Sequence, residues 1–88
     1  RPSAEAPSAA QRVYRELARL ARPHPSGDGS WVISPMPLHR DIAAATGTAP
    51  EDVAQAIGHL MRSGAIRRRN LDIILLDRRG VQELAAQR

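Results

Sequence analysis

A chain of 88 residues supports one small domain with one modest core, and with no Phe, one Trp and one Tyr that core has to be aliphatic. All 13 basic residues are arginines, set against 9 acids, and the resulting charge of +4 and pI of about 11.3 point to an anionic partner such as nucleic acid. The lack of Cys removes disulfide frameworks and cysteine zinc sites and fits a reducing cytoplasm; no apolar run reaches the length of a membrane span and no signal peptide is evident.

The elements follow in chain order. Residues 1–8, small, polar and broken by prolines, are expected to be a linker or frayed end. Residues 9–22, "AAQRVYRELARLAR", predict an amphipathic helix with Val13, Leu17, Leu20 and Ala21 inward and Arg12, Arg15, Arg19 and Arg22 outward, stopped by Pro23. "PHPSGDG" has the chemistry of a loop, and "SWVIS" predicts a short strand ended by Pro35 and Pro37. Residues 38–46 predict a short helix with Leu38, Ile42 and Ala45 inward, and Gly47 supplies a turn.

Residues 50–63 predict a longer helix with Val53, Ile57, Leu60 and Met61 on its buried face and Gly64 as its cap. Its start is unusual for a basic chain, because Pro50 is followed by two acids, Glu51 and Asp52. Thr48-x-x-Glu51 has the spacing of a capping box, and proline is tolerated in a first helical turn where its missing N–H has no partner. "AIRR" and "DIILLD" around Arg69-Asn70-Leu71 predict a β-hairpin, and residues 78–87 a closing helix with Val81, Leu84 and Ala85 inward. Two helices joined by a tight glycine-containing turn and followed by a hairpin describe a winged helix-turn-helix, a mainly α fold with a small β-hairpin as the wing. The expected domain covers residues 9–88.

The stretch from Pro37 onward, "PLHRDIAAATGTAPEDVAQAIGHLMRSGAIRRRNLDIILLDRRGVQELA", resembles the C-terminal DNA-binding domain of the cyclic-AMP-receptor/Fnr (Crp/Fnr) family of bacterial transcription regulators. The residues that carry the resemblance are Arg40 to Ala43, Gly47, Glu51, Val53, Leu60, Gly64, Ile66, the wing at 67–72, Asp77 and Leu84-Ala85. "RVYRELARLAR" and "GDGSWVIS" extend it upstream to residue 11. The resemblance implies a longer protein, an expectation that the start at Arg1 rather than Met shares. An N-terminal sensor domain, able to hold a cyclic nucleotide or other effector, and a long dimerisation helix would precede this chain. The full-length protein would be a cytoplasmic homodimer at the bacterial nucleoid and this piece monomeric, with no cofactor of its own. The chain departs from the family pattern at Gln55, where relatives usually carry Arg, and at Ala49 and Pro50.

With the stripe through Val53, Ile57, Leu60 and Met61 inward, the opposite side of helix 50–63 carries Glu51, Gln55, Gly58, His59 and Arg62. In a helix-turn-helix the N-terminal part of this helix reaches base edges in the major groove. Glu51 can accept from cytosine N4 and Gln55 can pair with adenine through two hydrogen bonds, with His59 beside them as the third candidate for base readout. His39, Arg40, Arg62, Arg68, Arg69 and Asn70 are the candidates for phosphate contacts, which supply affinity and salt dependence but little sequence information.

Catalysis is not expected. His24, His39 and His59 are dispersed without metal-ligand spacing, and neither a phosphate-binding glycine loop nor a nucleophile elbow is present. The expected partner is double-stranded DNA, with no membrane. The competing reading is a winged helix turned to protein contact, docking on its own sensor domain or on RNA polymerase; the acidic start of helix 50–63 and the missing Arg at Gln55 favour it.

Overall fold

The computed structural model describes residues 7–86, so of the expected linker over residues 1–8 only Pro7 and Ser8 fall within it, and Gln87 of the closing helix lies outside. Four helices and four short strands follow in the order α1 (Ala9–Leu20), β1 (Arg22–Pro23), β2 (Trp31–Ile33), α2 (His39–Thr46), α3 (Pro50–Arg62), β3 (Ile66–Arg69), β4 (Asp72–Leu75) and α4 (Arg78–Ala86). Among the described residues no helix is long and apolar enough to cross a membrane.

Helix α1 begins with a reciprocal capping box. The Gln11 N–H donates to Ser8 Oγ at 3.1 Å, and the Ser8 N–H donates to Gln11 Oε1 at 3.0 Å, so two otherwise unpaired donors are satisfied. Its apolar stripe, Val13, Tyr14, Leu17 and then Ala21, is buried, whereas Leu20 is only partly so. The helix is two residues shorter than its sequence suggests. Arg22 and Pro23 leave it to form β1, which pairs antiparallel with β2 through Arg22↔Val32 and Pro23↔Trp31. The intervening loop closes through the His24 N–H on Ser30 O at 3.0 Å and through Asp28, which accepts from both the Ser30 hydroxyl (2.6 Å) and the Ser30 N–H (2.9 Å).

Helix α2 packs against both α1 and α3. It therefore buries two adjacent residues, Ile42 and Ala43, and not the expected set of Leu38, Ile42 and Ala45. Leu38 precedes the helix with an extended backbone, so it does not follow the helical face and is 56% exposed. Gly47 ends α2 in the left-handed conformation (φ 69°), which lets the Thr48 N–H return to Ala43 O at 3.0 Å.

Helix α3 buries Val53, Ala56, Ile57 and Leu60. The stripe is rotated slightly from the expected one because α1, α2 and β3 all pack on this helix: Ala56 replaces Met61, which is 37% exposed. The start differs from the expected Thr48–Glu51 box as well. Ala49 occupies the cap position, Asp52 Oδ2 accepts from the Ala49 N–H at 3.0 Å, and the Thr48 hydroxyl pairs with that of Thr46 at 2.8 Å. Pro50 stands at the first helical position, one place nearer the cap than Glu51, and this shifts the reach-back acid to Asp52. At the other end Gly64 (φ 82°) forms a Schellman closure, with the Gly64 N–H on Met61 O at 3.1 Å and the Ala65 N–H on Leu60 O at 3.0 Å.

The strands form one antiparallel sheet in the order β1-β2-β4-β3. β3 and β4 are joined through the two residues Asn70 and Leu71, with Asn70 left-handed at φ 57°. Ile33, Ile66, Ile73 and Leu75 enter a single cluster with the buried residues of all four helices. Asp77 starts α4 by accepting the Gly80 N–H at 2.9 Å, and the Arg15 side chain ties α1 to the other end of α4 through Ala85 O at 3.0 Å. The Arg78 guanidinium lies 3.7 Å from the centre of the Trp31 ring, which fastens the start of α4 to the sheet.

Candidate nucleic-acid interface

Packing of Val53, Ala56, Ile57 and Leu60 into the core leaves one side of α3 facing solvent. At 100° per residue, Glu51 and Arg62 lie within about 10° of the direction opposite the core and Gln55 and Gly58 about 30° to either side of it, with Ala54 farther round on the flank toward the hairpin and His59 on the far flank. Glu51, Ala54, Gln55, His59 and Arg62 are all exposed. The Arg62 guanidinium folds back across the helix, its Nη1 3.1 Å from where a β-carbon on Gly58 would stand.

Ladder register sorts the three arginines of the wing. Arg68 pairs with Ile73, a core residue, so both point toward the helices; Arg67 and Arg69 point to the other face. Arg67 ends a row across that second face, Arg22–Val32–Ile74–Arg67, in which the two central residues are buried although neither belongs to the core cluster. Arginine stems at both ends of the row are suited to lie over this apolar strip while their charged heads stay in water.

The wing does not stand apart from the helices. The Met36 N–H donates to Leu71 O at 2.7 Å, which ties the wing tip to the segment leading into α2, the helix that carries His39 and Arg40. A recess of about 170 Å³ between α3 and the hairpin is lined by His39, Ala54, Gly58, Met61 and Arg68, among others. Three elements distant in sequence thus bring His39, the open flank of α3 and Arg68 to one place. Ala54 and Gly58 carry no polar side chain and were given no contact role from sequence, although Gly58 was placed on the open side of the helix; the spacing of four that puts Ala54 beside it is the signal that could have found the pair.

Electrostatically this side is mixed. Glu51 and Asp52 sit in the first turn of α3, where the helix dipole favours negative charge. The cations are distributed around it, on α2, the end of α3 and the wing. Elsewhere, the Arg19 side chain holds the Glu16 carboxyl below the ordinary carboxylate range through a 2.6 Å ion pair on α1. Among the described residues no three His, Cys, Asp or Glu side chains converge to hold a metal ion.

The model of the Crp-like helix-turn-helix domain matches residues 11–84. The chain belongs to this family. It is a DNA-binding winged helix of the CRP/FNR kind, and the family is one of transcriptional regulators, not of enzymes. The curated relative SdrP, a transcriptional regulator of Thermus thermophilus, is 46% identical over 50 residues, which is 57% of this chain and 25% of SdrP. A solved CRP/FNR-family regulator from Thermus thermophilus superposes with a TM-score of 0.69 at 34% identity, over 90% of this chain and 41% of that one. CooA of Carboxydothermus hydrogenoformans, a CO-dependent transcription factor, shares the fold with a TM-score of 0.75 at 19% identity, over 90% of this chain and 37% of its own. The chain thus matches a quarter of the length of SdrP and about two-fifths of the length of these solved relatives.

Proposed function

We propose that this Crp-like domain recognises a specific duplex sequence with α3 in the major groove, as the output part of a longer, effector-controlled homodimeric regulator acting in the cytoplasm. Glu51, Gln55 and His59 meet base edges, with Glu51 suited to cytosine N4 and Gln55 to the paired donor and acceptor of adenine. His39, Arg40, Arg62, Arg68, Arg69 and Asn70 hold phosphates on either side of the groove. The observation that carries this reading is the meeting of α2, α3 and the hairpin around one recess, which brings His39 of α2 and Arg68 of the hairpin beside the exposed side of α3. Two such helices in a dimer would address half-sites about 34 Å apart. A cyclic nucleotide or another small effector, bound outside this domain, would set their spacing.

A salt titration of binding to mixed genomic duplex tests the footprint. Affinity is expected at low salt and should fall steeply and log-linearly as salt rises, because each phosphate neutralised releases counterions. If no complex forms at low salt, while a complex with RNA polymerase or with a sensor domain does, the surface serves protein contact instead.

A further inference from the structure

We infer that Ala54 and Gly58 form an apolar notch on α3 that receives the C5-methyl group of a thymine, making this flank of the helix a specificity element distinct from Glu51 and Gln55. The inference rests on the reading of α3 as the major-groove helix.

Three observations converge on it. First, Ala54 is exposed and shares a face with Glu51 three residues before it and Gly58 four residues after it, so it stands among the groups turned toward the groove. Second, neither Ala54 nor Gly58 offers a side-chain donor or acceptor, and their backbone groups lie within the helix ladder, so these two residues do not themselves read a base by hydrogen bonding. Third, the recess beside them is walled chiefly by Ile57, Met61, Met36 and Ile73, with His39 and Arg68 as its polar lining, so a small apolar group entering against the apolar side leaves water for hydrocarbon. The major-groove edges of the four base pairs present donors, acceptors and only one apolar group, the thymine methyl. A cytosine at the same position would bring no methyl group to Ala54 and Gly58.

Gly58 contributes by what it lacks. The Arg62 guanidinium already lies 3.1 Å from the position of a β-carbon there. A larger side chain at Gly58 would fill the notch and displace the guanidinium from this flank.

The experiment starts from duplexes selected by this chain out of a random pool at low salt. Each thymine of the selected site is then replaced singly by deoxyuridine, which removes the methyl and leaves every hydrogen-bonding group in place. At one position affinity should fall about fourfold, the equivalent of one methyl-sized group buried. With Ala54→Gly that thymine-to-deoxyuridine ratio should shrink to below about twofold, while circular dichroism checks that the helix content is kept. With Gly58→Leu the ratio should also collapse, through filling of the notch. If duplexes are selected but no deoxyuridine costs more than about 1.5-fold, or the loss persists unchanged in both variants, the notch is not the reader although α3 still binds DNA. If no duplex is selected at all, the major-groove reading falls and this inference with it.

Discussion

Pro50, Glu51 and Asp52 give the groove-facing helix a rigid ring and two carboxylates at its entrance, and the two acids do different work. Asp52 turns back to the Ala49 N–H and completes the cap that alanine, lacking an acceptor side chain, cannot make alone. Glu51 makes no such bond and remains open to solvent, free for a base edge. Removing the first should act on stability: Asp52→Ala is expected to cost about 1 kcal/mol in chemical denaturation, with Asp52→Asn recovering much of it because the amide oxygen still accepts. Changes at the open side should act on binding. Gln55→Ala is expected to lower discrimination by about 1–3 kcal/mol at one base pair, measured by comparing the selected site with its single-base variants. Arg69→Ala, by contrast, should weaken binding to every sequence alike and reduce the salt slope by about one. Sequence spacing favoured Thr48 and Glu51 as the capping pair. The choice between Glu51 and Asp52 turns on where the first helical residue falls, and Pro50 fixes that position only in three dimensions.

At the level of elements, the ends of α2 and α3 at Gly47 and Gly64 and the strands of the hairpin were legible in the sequence, and the edge strand β1 was not. Gly47 and Gly64 both adopt left-handed backbone at the ends of α2 and α3, where the sequence put turn and cap. Gly64→Ala is expected to cost about 1–2 kcal/mol, read from the denaturation midpoint, since an L side chain disfavours φ 82° and the space around it offers no compensating contact. The strand β1 had no local signature, because Arg22 continues a helical arginine pattern and Pro23 reads as its stop, and the two are drawn into the sheet only by pairing with Val32 and Trp31. The loop that joins β1 to β2 carries a pH response. Hydrogen bonds from the Ser30 side chain, and then from its backbone, hold Asp28 at about 2 against an ordinary value of 3.8. Its folded pKa is depressed, so the contribution to loop order is complete above 3.8 and is lost as pH falls through about 2. Amide resonances around Asp28 should shift in that window, whereas Asp28→Asn should remove the response.

Across the whole molecule one cluster joins all four helices to the sheet, so the domain is expected to unfold as a unit. Leu60 is completely buried at its centre. Leu60→Ala should cost about 2–5 kcal/mol, and probes placed on α1 and on the hairpin should lose structure at the same denaturant concentration. The large aliphatic side chains at helical spacing revealed most of this core. What they left out were small residues, Ala43, Ala56 and Ala65, whose burial depends on how closely neighbouring elements approach and not on their own hydrophobicity. The candidate site divides in the same way. Charged and hydrogen-bonding residues of α3 and the wing were visible as types, but the side of the hairpin that Arg68 takes, and the apolar flank at Ala54 and Gly58, follow from ladder register and helix rotation.

Among the described residues every buried residue is a hydrophobic one, and no charged or polar residue is enclosed with them. Cohesion of this domain and its grip on DNA therefore respond to opposite solvent conditions. Raising the ionic strength weakens arginine–phosphate contacts steeply, whereas burial of hydrocarbon is not weakened by it and is strengthened by sulfate. A concentrated sulfate solution should strip the domain from DNA and at the same time raise its melting temperature, so release leaves behind a folded protein ready to bind again on dilution.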